Sequence, residues 1–145
     1  MQVNFHVSPE LKTEHAELFV QQLTPALQQV ANQLLKEARL IWGYQADQMI
    51  PLDLQQVALI SVVDQQVYAY LQDGRQLRLK QRLYQIEAQL PIAFVRVSKS
   101  EILNQHAIAY LEVTPSGLIN AHLKNQQVAQ VSRRRMKNLK RGLGL

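Results

Sequence analysis

Val57-Ala58-Leu59-Ile60-Ser61-Val62-Val63 is followed, after three polar residues, by Val67-Tyr68-Ala69-Tyr70-Leu71 and then, across Asp73-Gly74, by Leu77-Arg78-Leu79. The first run is made almost wholly of β-formers. The next two flank an Asp-Gly pair, whose residues accept the positive φ angles of a tight hairpin turn. The stretch reads as consecutive antiparallel strands, and it sets the class of the C-terminal two-thirds of the chain. Leu83, Ile86, Glu87 and Leu90 suggest a short helix closed by Pro91. Ala93 to Val97 reads as a strand, and Ser98 to Asn104 as a turn or short helix. Ile108 to Val113 and Leu118 to Leu123 are strands around Pro115-Ser116-Gly117. Lys124-Asn125-Gln126-Gln127 is a hairpin tip that returns through Val128 to Val131. Ser132 can cap a final short helix carrying Arg133 to Leu139, stopped by Gly142. Short strands with turns every 8–12 residues predict a mostly-β domain over residues 50–145.

Towards the N-terminus the pattern changes. Gln2 to Val7 alternates polar and apolar residues and predicts a strand. Ser8-Pro9-Glu10 marks a turn, and Ala16 to Val20 predicts a second strand. Thr24-Pro25 has the form of an N-cap with proline at the first helical position. Leu27, Val30, Ala31, Leu34, Leu35 and Ala38 follow at helical spacing, so residues 24–39 are expected as an amphipathic helix, and Gly43 ends this region. Residues 1–45 are thus expected as a β-β-α head on a mostly-β α+β protein. Two strands and a helix cannot bury both of their faces. The helix must pack on the β domain or on a second copy, which makes the head a candidate dimerisation element.

The 145 residues are 47% hydrophobic and include no cysteine, which fits a folded chain and excludes disulfides, thiolate zinc sites and cysteine nucleophiles. No basic start with an apolar run opens the chain, and no apolar run approaches a membrane span, so a cytoplasmic protein is expected. Charge is divided unevenly. Residues 1–74 hold three Lys/Arg against eight Asp/Glu, and residues 75–145 hold thirteen against three. A basic half on an acidic one is the footprint of a polyanion binder.

Three clusters carry that charge. Ser132-Arg133-Arg134-Arg135-Met136-Lys137-Asn138-Leu139-Lys140-Arg141 places Met136 and Leu139, with Leu143, on one helical face and directs the cations elsewhere. An arginine there could donate two hydrogen bonds to guanine O6 and N7; the same run would serve equally as a solvated basic terminus. In Arg96-Val97-Ser98-Lys99-Ser100-Glu101, small hydroxyls beside a lysine suit phosphate and base-edge contacts, although Ser98 could merely cap a turn and Arg96 be structural. Arg78, Lys80 and Arg82, with Arg75 before them, alternate along a strand, and even spacing puts the three on one face. Catalytic signatures are absent. His6, His15, His106 and His122 have no metal-binding spacing, and there is no nucleophile elbow, dinucleotide loop or P-loop. No enzyme, metal or cofactor is expected. Trp42 and Tyr44 beside Gly43 could edge a pocket, a core or an interface.

These anchors together resemble the LytTR DNA-binding domain. Phe94-Val95-Arg96-Val97-Ser98-Lys99-Ser100-Glu101-Ile102-Leu103-Asn104 is similar to the family's F-x-R-x-x-x-S-x-[LI]-[VL]-N stretch, and Val131-Ser132-Arg133-Arg134-Arg135-Met136-Lys137-Asn138-Leu139-Lys140 to its V-S-R-R-x-x-x-x-[LI]-K end. Ile60 to Tyr70, the helix Leu83 to Leu90, and Gly117-Leu118 before Lys124-Asn125 match in order between them. The resemblance implies small antiparallel sheets stacked as an elongated β sandwich, with loops rather than a recognition helix entering successive major grooves. It implies two protomers on direct-repeat sites in bent double-stranded DNA. By matching motif, Arg134 is the main base reader. Lys99, where many members carry Arg or Asn, is the second, and Gln65 of the Asp64-Gln65-Gln66 tip is the third. Ser98, Ser100, Arg133, Arg135, Lys137, Arg78, Lys80 and Arg82 would hold the backbone or support the readers. Residues 1–45 are too short for a phosphoacceptor receiver domain, so the chain looks like a stand-alone member rather than an ordinary response regulator. Such members are often paired with a small membrane protein that inhibits them.

Two other classes compete. An RNA reader would expose aromatics for stacking, and aromatics are only 6% of this chain. A protein-interaction module that sequesters another regulator would need neither Arg134 nor Lys99.

Overall fold

The computed structural model describes residues 1–12, 15–35 and 40–145. The run from Val57 becomes β3 (Val57–Val63), and it is apolar but for Ser61 because both of its faces are covered over Val57–Ile60. β1 (Trp42–Gln45), β2 (Gln48–Pro51), β4 (Gln66–Leu71), β5 (Gln76–Leu79), β6 (Phe94–Arg96) and β7 (Glu101–Asn104) join it in a seven-stranded sheet ordered β2-β1-β5-β4-β3-β7-β6, with every pairing antiparallel. β8 (Ile108–Val113), β9 (Ile119–Leu123) and β10 (Val128–Val131) form a three-stranded antiparallel meander. A register shift between Val57 and Leu59 lets β3 send Val57 and Ile60 to one side, and Ala58 and Leu59 to the other.

Two cores result. On the first face of the large sheet, Ile60, Leu77, Leu79 and Ile102 pack with Leu83 and Ile86 of α2 (Leu83–Glu87) and with Leu90. On the second, Leu59, Val97 and Leu103 meet Ile119, Ala121, Leu123 and Val131 of the small sheet and Leu139 of α3 (Met136–Gly142). Met136 and Leu143 pack against that second core, as their spacing predicts. The sandwich and its mostly-β class agree with expectation. Between the sheets, Asn125 Nδ2 donates to the Leu71 carbonyl at 3.3 Å. The buried Asn104 is satisfied by Val57 O at 2.8 Å and by the His106 amide at 3.0 Å.

Several local expectations are corrected. Residues 2–7 and 16–20 form no strand and lie exposed, since alternation alone makes no strand without a ladder partner. The expected helix is present as α1 (Pro25–Leu35), with the Leu27 amide donating to Thr24 Oγ1 at 3.2 Å; residues 36–39 lie outside the described residues. Residues 42–45, read with the head, are the first strand of the large sheet. Gly43, expected at the end of the head, lies inside that strand instead: a Cβ there would sit 2.8 Å from Leu77 Cβ, so the strand needs the missing side chain. Pro51 is tolerated because β2 is an edge strand. Residues 98–104 divide into a tip and β7, because Ile102 and Leu103 pair with β3 on one side and β6 on the other. The last helix, α3, does stop at Gly142 as expected, where a side chain would meet Gln105.

Candidate nucleic-acid interface

Three tips meet at one end of the large sheet. The β3–β4 turn presents Asp64 and Gln65, with φ of +51° and +66°. The β6–β7 turn presents Ser98, Lys99 and Ser100. It lies beside the first because β3 and β7 are paired and the Val62 amide donates to Ser100 O at 2.9 Å. The third tip is the 3-10 turn Arg133–Arg135, held by the Ser132 amide donating to Val97 O at 2.8 Å. Ser132 starts that turn without a side-chain cap bond, so its role there is through the backbone. Gln65, Lys99, Ser100, Arg133 and Arg134 are exposed; Ser98 and Arg135 are half-buried.

The cations at this end are largely uncompensated. Among the described residues, no ion pair involves Lys99, Arg133, Arg134, Arg135 or Lys137. The β4–β5 register sets Leu79 opposite Val67, which puts the exposed Lys80 level with Gln66 and close to the Gln65 tip. Arg78, also exposed, stands opposite Tyr68, so these two form the expected stripe. Lys80 Nζ lies 4.1 Å from the Tyr44 ring centroid, a cation–π contact that leaves its ammonium facing solvent. Arg82 is past the strand, at the start of α2, where its amide donates to Gln85 Oε1 at 3.0 Å. Lys137 is exposed on α3. Trp42 and Tyr44 edge a shallow cleft with Leu40 and Lys80.

Sequence reasoning does not find what holds the Lys99 tip. Arg96 Nε donates to Ser98 O at 2.7 Å, Nη2 donates to Lys99 O, and Nη1 meets Glu87 Oε2 of α2 at 2.6 Å. One guanidinium thus fixes two carbonyls of the tip and ties them to a helix on the first core. Arg96 reads as structural from the sequence alone, but Glu87 lies nine residues back with no periodicity linking the two. Glu101 has no signal in the sequence either. It stands opposite Ser61 in the ladder, directly behind Lys99 and Ser100, and burial pushes its carboxyl above the ordinary range against a hydrogen bond from Ser61 that lowers it. Tyr70 is raised as well, by burial first and then by Tyr68 and Glu101.

This geometry, three loop tips on a β sandwich with exposed cations on two of them, can be compared with known proteins. The family model described as the LytTr DNA-binding domain matches residues 47–144. The chain belongs to the LytTr DNA-binding domain family. Among solved structures, a LytTr DNA-binding domain from Bacillus cereus aligns with a TM-score of 0.68 at 20% identity, over 73% of this chain and 97% of that one, and shares the fold. Two relatives from Staphylococcus aureus, strains MSSA476 and COL, are each 29% identical over 147 residues, covering 100% of this chain and 99% of theirs. Both are named uncharacterized HTH-type transcriptional regulators. Among the described residues here no two α-helices follow one another in the chain. Among the described residues, no helix is long and apolar enough to cross a membrane.

Proposed function

We propose that the protein is a sequence-specific regulator of transcription that reads double-stranded DNA in the major groove with the three tips. The observation that carries this reading is their convergence, through two backbone hydrogen bonds, on cations with no internal ion partner. Arg134 is the principal reader, since an exposed guanidinium can engage guanine O6 and N7 together, a contact worth about 1–3 kcal/mol of discrimination. Lys99 reads from the adjacent tip, and Gln65 has the amide geometry for adenine N6 and N7. Ser98, Ser100, Arg133, Arg135, Lys137, Arg78, Lys80 and Arg82 meet phosphates or support the readers, which sets register without reading sequence. Two protomers occupy a direct repeat. The names of the Staphylococcus aureus relatives support the regulatory role. Restraint by a small membrane protein belongs to the same proposal and would be read as recovery of the chain in a membrane fraction that carries that partner.

Selection from a random duplex pool tests the proposal, with wild type and Arg134→Ala side by side. The expected result is an enriched direct-repeat motif that the variant loses, with affinity falling with salt at a slope of about −0.9 per phosphate contacted. Weak, salt-sensitive binding without an enriched motif would overturn it and favour a module that sequesters another regulator.

A further inference from the structure

The described residues before Ile41 expose much apolar surface. α1 is eleven residues long and carries no charge, with Leu27, Val30, Ala31 and Leu34 along one face. Isolated helices shorter than about 12–15 residues are marginal in water, so a helix of this length needs packing to persist. Yet among the described residues neither hydrophobic core includes one before Ile41. Phe5 and Phe19 are 87% and 91% exposed, and Leu34 is 63% exposed. Gln2 to Val7 alternates like a strand but pairs with no strand.

Area and charge identify the occupant. Two phenylalanines at about 150–250 Å² each, together with the exposed Val3, Val7, Leu23 and Leu34 of the same segment, sum to on the order of 800 Å², which matches what one partner contributes to a stable interface. Residues 1–40 hold three basic and four acidic residues, while residues 41–145 hold thirteen basic and seven acidic. Two β domains therefore repel one another, and two heads do not. An apolar, uncharged helix face is also its own complement, as a twofold contact requires.

We propose that the head is a homotypic interface: the α1 stripe of one protomer packs on the α1 stripe of a second copy, and the segments around Phe5 and Phe19 close over the pair. The two β domains stand outside this contact with their tips free. This deepens the two-protomer reading above but uses none of the residues that carry it.

Sedimentation of the full chain without DNA, across the micromolar range, tests the proposal. The wild type is expected as a dimer. Leu34→Glu and Phe19→Ser should each raise the dissociation constant about tenfold or more, with the strand circular dichroism signal and binding to a single half-site duplex unchanged. The chain has no cysteine, which gives a second readout: Leu34→Cys should form a disulfide-linked dimer on mild oxidation, and Ser116→Cys, at the β8–β9 turn, should not. A wild-type monomer throughout overturns the proposal. So does a dimer that survives both head substitutions, or a monomer recovered only with membranes, which would assign the face to a membrane partner. A dimer with no selected DNA motif would sink the DNA reading alone, and a selected motif with a monomer would sink this inference alone.

Discussion

The Lys99 tip and the Gln65 tip lie side by side but are held in place by different means. At the first, backbone geometry is ordinary and position comes from a side chain, Arg96, which takes two tip carbonyls and anchors on Glu87. At the second, no side-chain clamp among the described residues acts on the turn, and position comes from the backbone itself. Asp64 and Gln65 both occupy the left-handed region, as a two-residue hairpin with this twist demands. Glycine or asparagine would normally sit there, because a long side chain at positive φ costs about 1 kcal/mol or more. Keeping glutamine at that strained position gives the tip a side chain that glycine would lack. The difference implies that the Lys99 tip can be disordered from a distance, whereas the Gln65 tip can be changed only at the turn.

Breaking the clamp should have the largest effect. Arg96→Ala removes three hydrogen bonds from a guanidinium whose side chain is 16% exposed and leaves Glu87 without its partner. A loss of about 2 kcal/mol of stability is expected, discounted for the partial exposure of Glu87. Discrimination at the base read by Lys99 should fall about tenfold or more while the position read by Arg134 keeps its preference. Denaturant unfolding and the selected motif read the two effects separately. Glu87→Gln keeps a hydrogen-bond acceptor and should show the same pattern at smaller size. Uniform loss across all base positions would instead mean that Arg96 supports the fold as a whole.

Gln65→Gly sharpens the other side. Relieving positive φ should stabilise the domain by about 1 kcal/mol, offset in part by the greater entropy of glycine in the unfolded chain. The adenine preference at that tip should vanish with the amide. A more stable protein with one relaxed base position is the expected pair of results. Loss of stability would show that the turn tolerates glutamine without strain.

Much of this is legible in the sequence, and the remainder is hidden for a physical reason. The central strand, the Asp73-Gly74 hairpin and the Met136, Leu139, Leu143 face are readable because hydrophobic period and turn chemistry are local. The fold class is readable because the stretches around Arg96 and Arg134 resemble a known family at compatible spacing. β7 is not, since Glu101-Ile102-Leu103-Asn104 is short and becomes a strand through pairing on both sides. The strands expected over residues 2–7 and 16–20 show the converse: a correct alternation makes no ladder without a partner. The clamp escapes notice because Arg96 and Glu87 belong to different elements.

The smallest expected effect concerns pH, and it bears again on the Lys99 tip. Glu101 lies behind that tip, and burial raises its carboxyl above the ordinary value of 4.5. An acid with a raised folded pKa contributes stability that is fully present below 4.5 and is lost as pH rises through the folded value. Asp73 and Glu112 act in the opposite sense. Both are lowered, Asp73 chiefly by the Arg75 backbone amide and Glu112 by Asn120 and then His122, so their contribution is present at neutral pH and lost on acidification. Both are exposed, and Asp73, in the β4–β5 turn at the end of the large sheet away from the tips, leaves DNA affinity alone. A DNA phosphate docked at Lys99 adds negative charge in front of Glu101 and raises its carboxyl further, so binding takes up part of a proton. Affinity should therefore rise by about two- to fivefold as pH falls from neutrality towards the ordinary glutamate range, with Arg and Lys remaining charged throughout. Glu101→Gln should bind at neutral pH as the wild type does in acid, and its affinity should be flat over that range. If the variant keeps the wild-type slope, the proton enters elsewhere and the Lys99 tip is electrostatically independent of the ladder beneath it.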